Sequence, residues 1–254
     1  MLPLFKSHYS IGKSILTLDD PHKLKNGGSD SIIKIALDNN FKEVILVEDT
    51  LIGFSEAYKR CKDHGLKLIF GLRLSLRNSQ EEHDAGSEHK VIIFAKNNEG
   101  CKRLNLIYSK AFTEYEGFLT NLSLEKMWDK NDLKMAVPFY DSFIHNNLLN
   151  HGTNAVPKFS LINPTFFIED NGLAFDWILK SEVYKFAKLN PNQPIQKVKS
   201  IYYKDKKDAE ALMTYKIICN RSFGKTRSLS RPELSHFCSD SFSFESWKEE
   251  NVKE

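Results

Sequence analysis

Long apolar runs are missing from this 254-residue sequence. The longest clean ones are of the length of Val91 to Ala95. A membrane-spanning helix needs about 20 apolar residues, so neither a transmembrane helix nor a membrane partner is expected. A secretory leader is not expected either, because Lys6, His8 and Lys13 interrupt any apolar core near the start. The four cysteines, Cys61, Cys101, Cys219 and Cys238, include no CxxC pair. That spacing argues against a zinc ribbon or a disulfide scaffold, and for free thiols in a reducing, cytoplasmic compartment. Arginine is scarce, with 7 against 29 lysines, and the net charge of +3 is too small to announce a nucleic-acid binder by itself. HExxH, GxSxG and the Rossmann glycine pattern do not occur. Gly12-Lys13-Ser14 and Gly224-Lys225-Thr226 end like phosphate-binding loops, but the glycine that should stand five positions earlier is Ser7 in one and Cys219 in the other.

What is present is a soluble, core-forming composition: 12% aromatic residues, 18 of them Phe, with 27% charged. Glu43 to Val47 is a short β-branched run of the buried-strand kind. Phe54, Ala57, Tyr58 and Cys61 fall at helical spacing over Phe54 to His64, and Gly65 follows where a positive φ is cheap. Leu66 to Phe70 reads as the next strand, which completes a βαβ unit and implies a parallel sheet. The alternation continues with strands at Lys90–Ala95, Leu133–Pro138, Phe166–Ile168 and Ile195–Tyr203. Helices are expected at Ser29–Asn39, capped by Asp30 or Ser29, and at Asn98–Phe112, Leu173–Leu189 and Asp208–Cys219. Gln80 to Glu88 is polar and aperiodic, as an exposed loop is. This alternation suits an α/β barrel or a doubly wound sheet. Charge is uneven near the end: ten Lys/Arg against three Asp/Glu from Lys197 to Arg231, then six acids against two bases from Glu233 to Glu254. The basic stretch suits either phosphate binding or a solvated helix face.

The stretch KVIIFAKNNEGCKRLNLIYSKAFTE, Lys90 to Glu114, resembles a signature region of the PHP (polymerase and histidinol phosphatase) domain, which opens the bacterial DNA polymerase III alpha subunit. Other segments follow in the family's order. Ser7, Tyr9 and Ser10 are similar to its opening; Ala57-Tyr58-Lys59 and Gly65 to Gly71 to its second strand–helix unit. Lys207 to Ala211, Arg221 and Gly224-Lys225-Thr226 are similar to its closing part. The resemblance spans roughly Leu2 to Ser230, so a PHP-like domain is expected over 1–230, followed by an acidic C-terminal extension over 231–254. The implied fold is a distorted (β/α)7-type barrel, with its site at the C-terminal ends of the strands.

In that family, histidines and carboxylates bind up to three metals that activate water for phosphoester hydrolysis. The resemblance places the family's opening HxH at Leu4 and Lys6, and the following acid near Lys13. Its Asp-His pair falls at Glu48-Asp49, its next Glu at Arg73, and its central Cys or His near Tyr140. The final Asp and His become Ser200 and Tyr202, and one His is kept as His89. Leu donates no lone pair, and Lys or Arg repels a cation. Glu48, Asp49 and His89 remain as metal candidates, for manganese or zinc, although no cofactor is the main expectation. In simpler terms they are a pair of capping or surface carboxylates and an edge histidine. Lys6, Lys13 and Arg73 could replace the metal charge and pair with Glu48 and Asp49. With Lys225, they could instead hold a nucleic-acid phosphate.

The resemblance therefore implies a catalytically degenerate module without a polymerase core. Its partner would be a DNA polymerase, another replisome protein, or DNA, in the cytoplasm or, for a viral source, the host cytoplasm. The alternative is a residual metal-dependent phosphoesterase or 3′–5′ exonuclease. A third possibility keeps the fold and moves the job to another ligand.

Overall fold

Each strand and helix expected from the sequence is present, embedded in a sheet of mixed direction. The computed structural model describes residues 1–25, 27–79, 87–150, 156, 157, 159, 162–190, 193–221 and 239–252. Its strands are β1 (Leu2–Phe5), β2 (Glu43–Glu48), β3 (Lys67–Arg77), β4 (His89–Ala95), β5 (Phe118–Thr120), β6 (Leu133–Val137), β7 (Thr165–Ile168) and β8 (Ile195–Ile201). Its α-helices are α1 (Ile32–Asp38), α2 (Phe54–Asp63), α3 (Asn98–Thr113), α4 (Asn121–Glu125), α5 (Phe143–Leu149), α6 (Asp176–Leu189), α7 (Ala209–Arg221) and α8 (Phe244–Val252).

The hydrogen-bonded order is β2-β1-β8-β7-β6-β4-β3-β5, and β2 also pairs with β3. The fold is thus mixed α/β, with seven strands in a closed ring of pairings and β5 added to β3. The all-parallel expectation does not hold. β4 runs antiparallel to both β3 and β6, with Leu72 opposite Ile93 and Ile93 opposite Met135.

Other boundaries moved for local reasons. α1 starts at Ile32 because Ser31, not Asp30 or Ser29, is the extended residue whose hydroxyl accepts the Lys34 N–H. α6 starts at Asp176 rather than Leu173. β3 runs seven residues past Phe70, because Leu72, Leu74 and Leu76 keep one face buried while Arg73, Ser75 and Arg77 take the other. β5, α4 and α5 are too short to show a period in sequence. Most of the expected loop at Gln80 to Glu88 lies outside the described residues, as do Cys238 and Lys225.

The chain forms two compact units. Unit 1 comprises Met1–Ile69, Asp170–Ala174 and Val198–Glu254; unit 2 comprises Phe70–Glu169 and Phe175–Lys197. In unit 1, β1 lies parallel to β8 and β2. Phe5 and Phe41 pack with Phe244 and Trp247 of α8. The acidic end of the sequence therefore carries part of this core. Its Glu250 pairs with Lys199, whose side chain has no exposed surface and which also donates to the Asp170 carbonyl oxygen at 2.8 Å. Unit 2 is centred on Val137, Phe139, Phe143, Phe166, Ile168, Leu179 and Val183.

The signature stretch has a mechanical role in unit 2. Asn97 caps α3 by accepting the Gly100 N–H (2.8 Å), and its amide donates to Asp132 (3.0 Å). The Lys96 N–H donates to the Asp132 carbonyl oxygen (2.8 Å), and Arg103 Nε to the Asp132 carboxylate (2.8 Å). A Cβ on Gly100 would collide with that same carbonyl oxygen. The motif thus clamps the start of α3 to the segment leading into β6.

Candidate functional site

Of the residues assigned by resemblance, Leu4, Lys6, Lys13, Glu48, Asp49, Ser200 and Tyr202 lie in unit 1; Arg73, His89 and Tyr140 lie in unit 2.

In unit 1, the residues gather where β1, β2 and β8 end. Leu4 pairs in register with Ser200 and is buried, so it contributes packing only. Lys6 follows β1 and is also buried; its Nζ lies 3.1 Å from Asp49 Oδ1. Glu48 closes β2 with no exposed surface, so of the plainer readings of Glu48 as a capping or a surface carboxylate the second does not hold. One of its oxygens accepts the Ser7 N–H at 2.8 Å, and the other accepts the Ser10 hydroxyl. Ser10 Oγ in turn accepts the Asp49 N–H at 3.0 Å. Burial pushes the Glu48 carboxyl above its ordinary range, against the opposing pull of the Ser10 and Ser7 hydrogen bonds and the Lys6 charge. Ser14 Oγ stands 2.5 Å from the Lys6 carbonyl oxygen and 2.8 Å from that of Tyr202, tying the loop after β1 to the end of β8. Tyr202 stacks on Phe242 with centroids 5.3 Å apart. Lys13 is exposed on this loop.

These side chains do not fit a divalent cation. Both Glu48 oxygens already take donors, and an ammonium stands against Asp49 where a cation would have to coordinate. Among the described residues, no three His, Cys, Asp or Glu side chains are grouped so as to hold a metal ion.

In unit 2, Arg73 Nη2 lies 2.5 Å from Asp141 Oδ2 and 3.4 Å from the Tyr140 carbonyl oxygen. The Tyr140 hydroxyl donates to Asp176 at 2.9 Å. Further along the same face of β3, Arg77 binds Glu88 at 2.7 Å and lies 3.9 Å over the Phe118 ring. Ser75 donates to Glu88 at 2.7 Å and accepts from Lys90. Burial raises the Glu88 carboxyl, but the Ser75 and Arg77 hydrogen bonds outweigh it and leave it below the ordinary range. His89 is buried at the head of β4. Its Nδ1 lies 2.9 Å from the Ser87 carbonyl oxygen, its Nε2 has no hydrogen-bond partner, and its ring meets Phe143 edge-on. Burial lowers its basicity, so the neutral ring is favoured. Sequence reasoning missed Asp141, Glu88 and Ser75, because none belongs to a motif. The only available signal was the strand alternation that puts Arg73, Ser75 and Arg77 on one face.

Residues 26–143 match the family model of the PHP domain. The match runs from before α1 to the start of α5 and includes Glu48, Asp49, Arg73, His89 and Tyr140. It is narrower than the span of the resemblance, and Leu4, Lys6, Lys13, Ser200, Tyr202 and Lys225 lie outside it. No curated protein matches the sequence. No helix among the described residues is long and apolar enough to cross a membrane.

Proposed function

We propose that this chain carries a catalytically degenerate PHP-type domain, of the kind that opens the DNA polymerase III alpha subunit. In this reading it serves DNA replication as a binding or scaffold module rather than as a hydrolase. One observation carries the reading: Lys6 Nζ stands 3.1 Å from Asp49, beside a Glu48 whose two oxygens take Ser7 and Ser10 as donors. An internal ammonium there supplies the positive charge that a cation would supply, and leaves no open coordination position for water. The partner is a polymerase or another replisome protein, or DNA itself.

The test is elemental mass spectrometry of the purified chain, soaked in manganese and zinc and then desalted, beside hydrolysis of a phosphodiester and anisotropy with DNA at two salt concentrations. The expected result is no stoichiometric metal, no hydrolysis, and binding that weakens as salt rises. Stoichiometric metal lost in Glu48→Ala or His89→Ala would overturn it.

A second reading, a residual metal-dependent phosphoesterase or 3′–5′ exonuclease, draws on His89. A neutral ring anchored through Nδ1 to a backbone carbonyl, with a buried unpartnered Nε2, is how metal-ligating histidines are commonly held. Phe143 against that ring suits plain packing equally well.

A further inference from the structure

We propose that the outward face of α6 is a docking surface for single-stranded nucleic acid, with the rings of Trp177 and Tyr184 stacking on bases and the lysines beside them meeting phosphates. The proposal rests on the reading of the chain as a binding module, and names the surface of unit 2 and the class of partner that it takes.

Three observations carry it. First, α6 has a core side and a distinct outer stripe. Leu179 and Val183 turn into the unit 2 core, and Asp176 is buried, where it accepts the Tyr140 hydroxyl. Trp177, Ser181, Tyr184 and Lys188, all exposed, follow at i, i+4, i+7 and i+11, so they line up along the helix on the side away from that core. Second, two large rings stand in water on this stripe. Trp177 is 71% exposed and Tyr184 48%. Seven residues at about 1.5 Å each set them about 10 Å apart along the axis. That is about three repeats of a strand that advances about 3.4 Å per phosphate. Third, the face is basic. Lys188 lies on the stripe, and Lys180 and Lys185 flank it. The helix has two acids: Asp176 is buried, and Glu182 pairs with Lys185 at 2.5 Å.

Together these features select the occupant. A purely apolar partner would strip water from the ammonium groups and give them no anion in return. An anionic chain supplies that anion. A single-stranded nucleic acid also supplies flat, unpaired base faces at regular spacing, which stack on aromatic rings whatever their sequence. A duplex keeps those faces inside its own stack and would meet only the lysines. No covalent bond changes.

The test titrates the full chain with a fluorescent oligothymidylate in EDTA, followed by anisotropy and by tryptophan fluorescence, with a duplex of equal length beside it. The wild type is compared with Trp177→Leu, Trp177→Phe, Tyr184→Leu and Lys188→Gln. Leu189→Ala is the control, because Leu189 is 81% exposed at the end of the same helix but off the stripe. These side chains face water, so all variants should melt with the wild type. The expected result is binding about five- to hundredfold weaker in Trp177→Leu and Tyr184→Leu, with most of the affinity kept in Trp177→Phe, which retains a flat ring. Lys188→Gln should weaken binding and lower its salt slope by about 0.7. Leu189→Ala should change nothing, and the duplex should bind more weakly and ignore Trp177→Leu. Fluorescence should fall on binding, and that fall should shrink in Trp177→Phe, which leaves Trp128 and Trp247. A wild type that binds no oligothymidylate overturns the proposal. So does a loss in Leu189→Ala equal to that in Trp177→Leu, which would mean plain apolar contact. Salt-sensitive DNA binding that ignores every ring variant would overturn this surface and leave the binding-module reading intact. That reading fails separately, on stoichiometric metal or on hydrolysis.

Discussion

Each unit sets a basic side chain against a carboxylate, and the two pairs meet water differently. By the resemblance, Lys6 in unit 1 and Arg73 in unit 2 stand where the family keeps metal ligands, and each has gained a carboxylate partner. In unit 1 the cation is buried and the anion half-buried, at 6% and 28% side-chain exposure, with Glu48 sealed beside them. In unit 2 the cation is withdrawn but the anion is not, at 16% and 56%. A withdrawn pair adds little net stability yet is costly to break, because removing one partner strands the other. A pair with a solvated partner is cheap to break and open to exchange. Unit 1 thus holds a largely buried counterion, and unit 2 a solvent-facing one.

The largest expected effect is in unit 1. Lys6→Met should destabilise the protein by about 3–5 kcal/mol, as for the loss of one member of a buried pair. Adding Asp49→Asn should restore a large part of that loss. Urea denaturation of the two single variants and the double variant measures this coupling. A Lys6→Met loss no greater than that of a surface pair would erase the difference between the units.

The comparison sharpens with pH. Burial raises the Glu48 carboxyl, so the folded state retains a proton that the unfolded chain releases. Its contribution is therefore greatest below the ordinary carboxyl range and is lost as pH rises through the raised folded value. Glu88 has the opposite sign: its carboxyl is held low, so its contribution is present above the ordinary range and is lost as pH falls through the lowered value. Melting temperatures of Glu48→Gln and Glu88→Gln, each subtracted from wild type from about pH 4 upward, should therefore slope in opposite directions. Parallel slopes would mean that the two carboxyls share one environment.

Arg73→Gln should cost about 1 kcal/mol or less, since the pair it breaks has a solvated partner. High salt should shrink that cost further, while barely changing the cost of Lys6→Met. Equal salt sensitivity in the two variants would contradict the assignment of one pair as sealed and the other as open.

Much of this architecture was legible in the sequence, and the reason differs by level. β2 and β4 announce themselves through short continuous apolar runs, because consecutive residues of each are buried, and α2 and α3 through apolar period, because each buries one stripe. Gly65 ends α2 with a positive φ, as its position after the helix implies. Direction of pairing was not legible. The period of β4 says that it is a strand, but nothing in it says that both neighbours run against it. The signature stretch was legible as a resemblance without a mechanical reason, and the reason lies at Asp132, beyond the stretch in sequence, where Asn97, Lys96 and Arg103 converge. At the candidate sites, Lys6 with Asp49 was open to inference from charge replacement. Asp141 was not, because its role depends on a left-handed turn ahead of α5 that no local pattern encodes. Nor could composition reveal that the acidic C-terminal stretch carries α8, whose Phe244 and Trp247 pack on Phe5 and Phe41.

The smallest expected effect is the most discriminating. Asp141→Asn removes one charge from a pair whose anion is mostly in water, worth about 0–1 kcal/mol. It keeps a residue that tolerates φ 59°. The Asp141 carbonyl oxygen still accepts the Lys90 N–H, because that contact is backbone to backbone. The net change in denaturation midpoint should therefore be close to zero. A structural pair would lose stability on this change, and a marked drop in the midpoint of Asp141→Asn would make the unit 2 pair a structural one like that of unit 1.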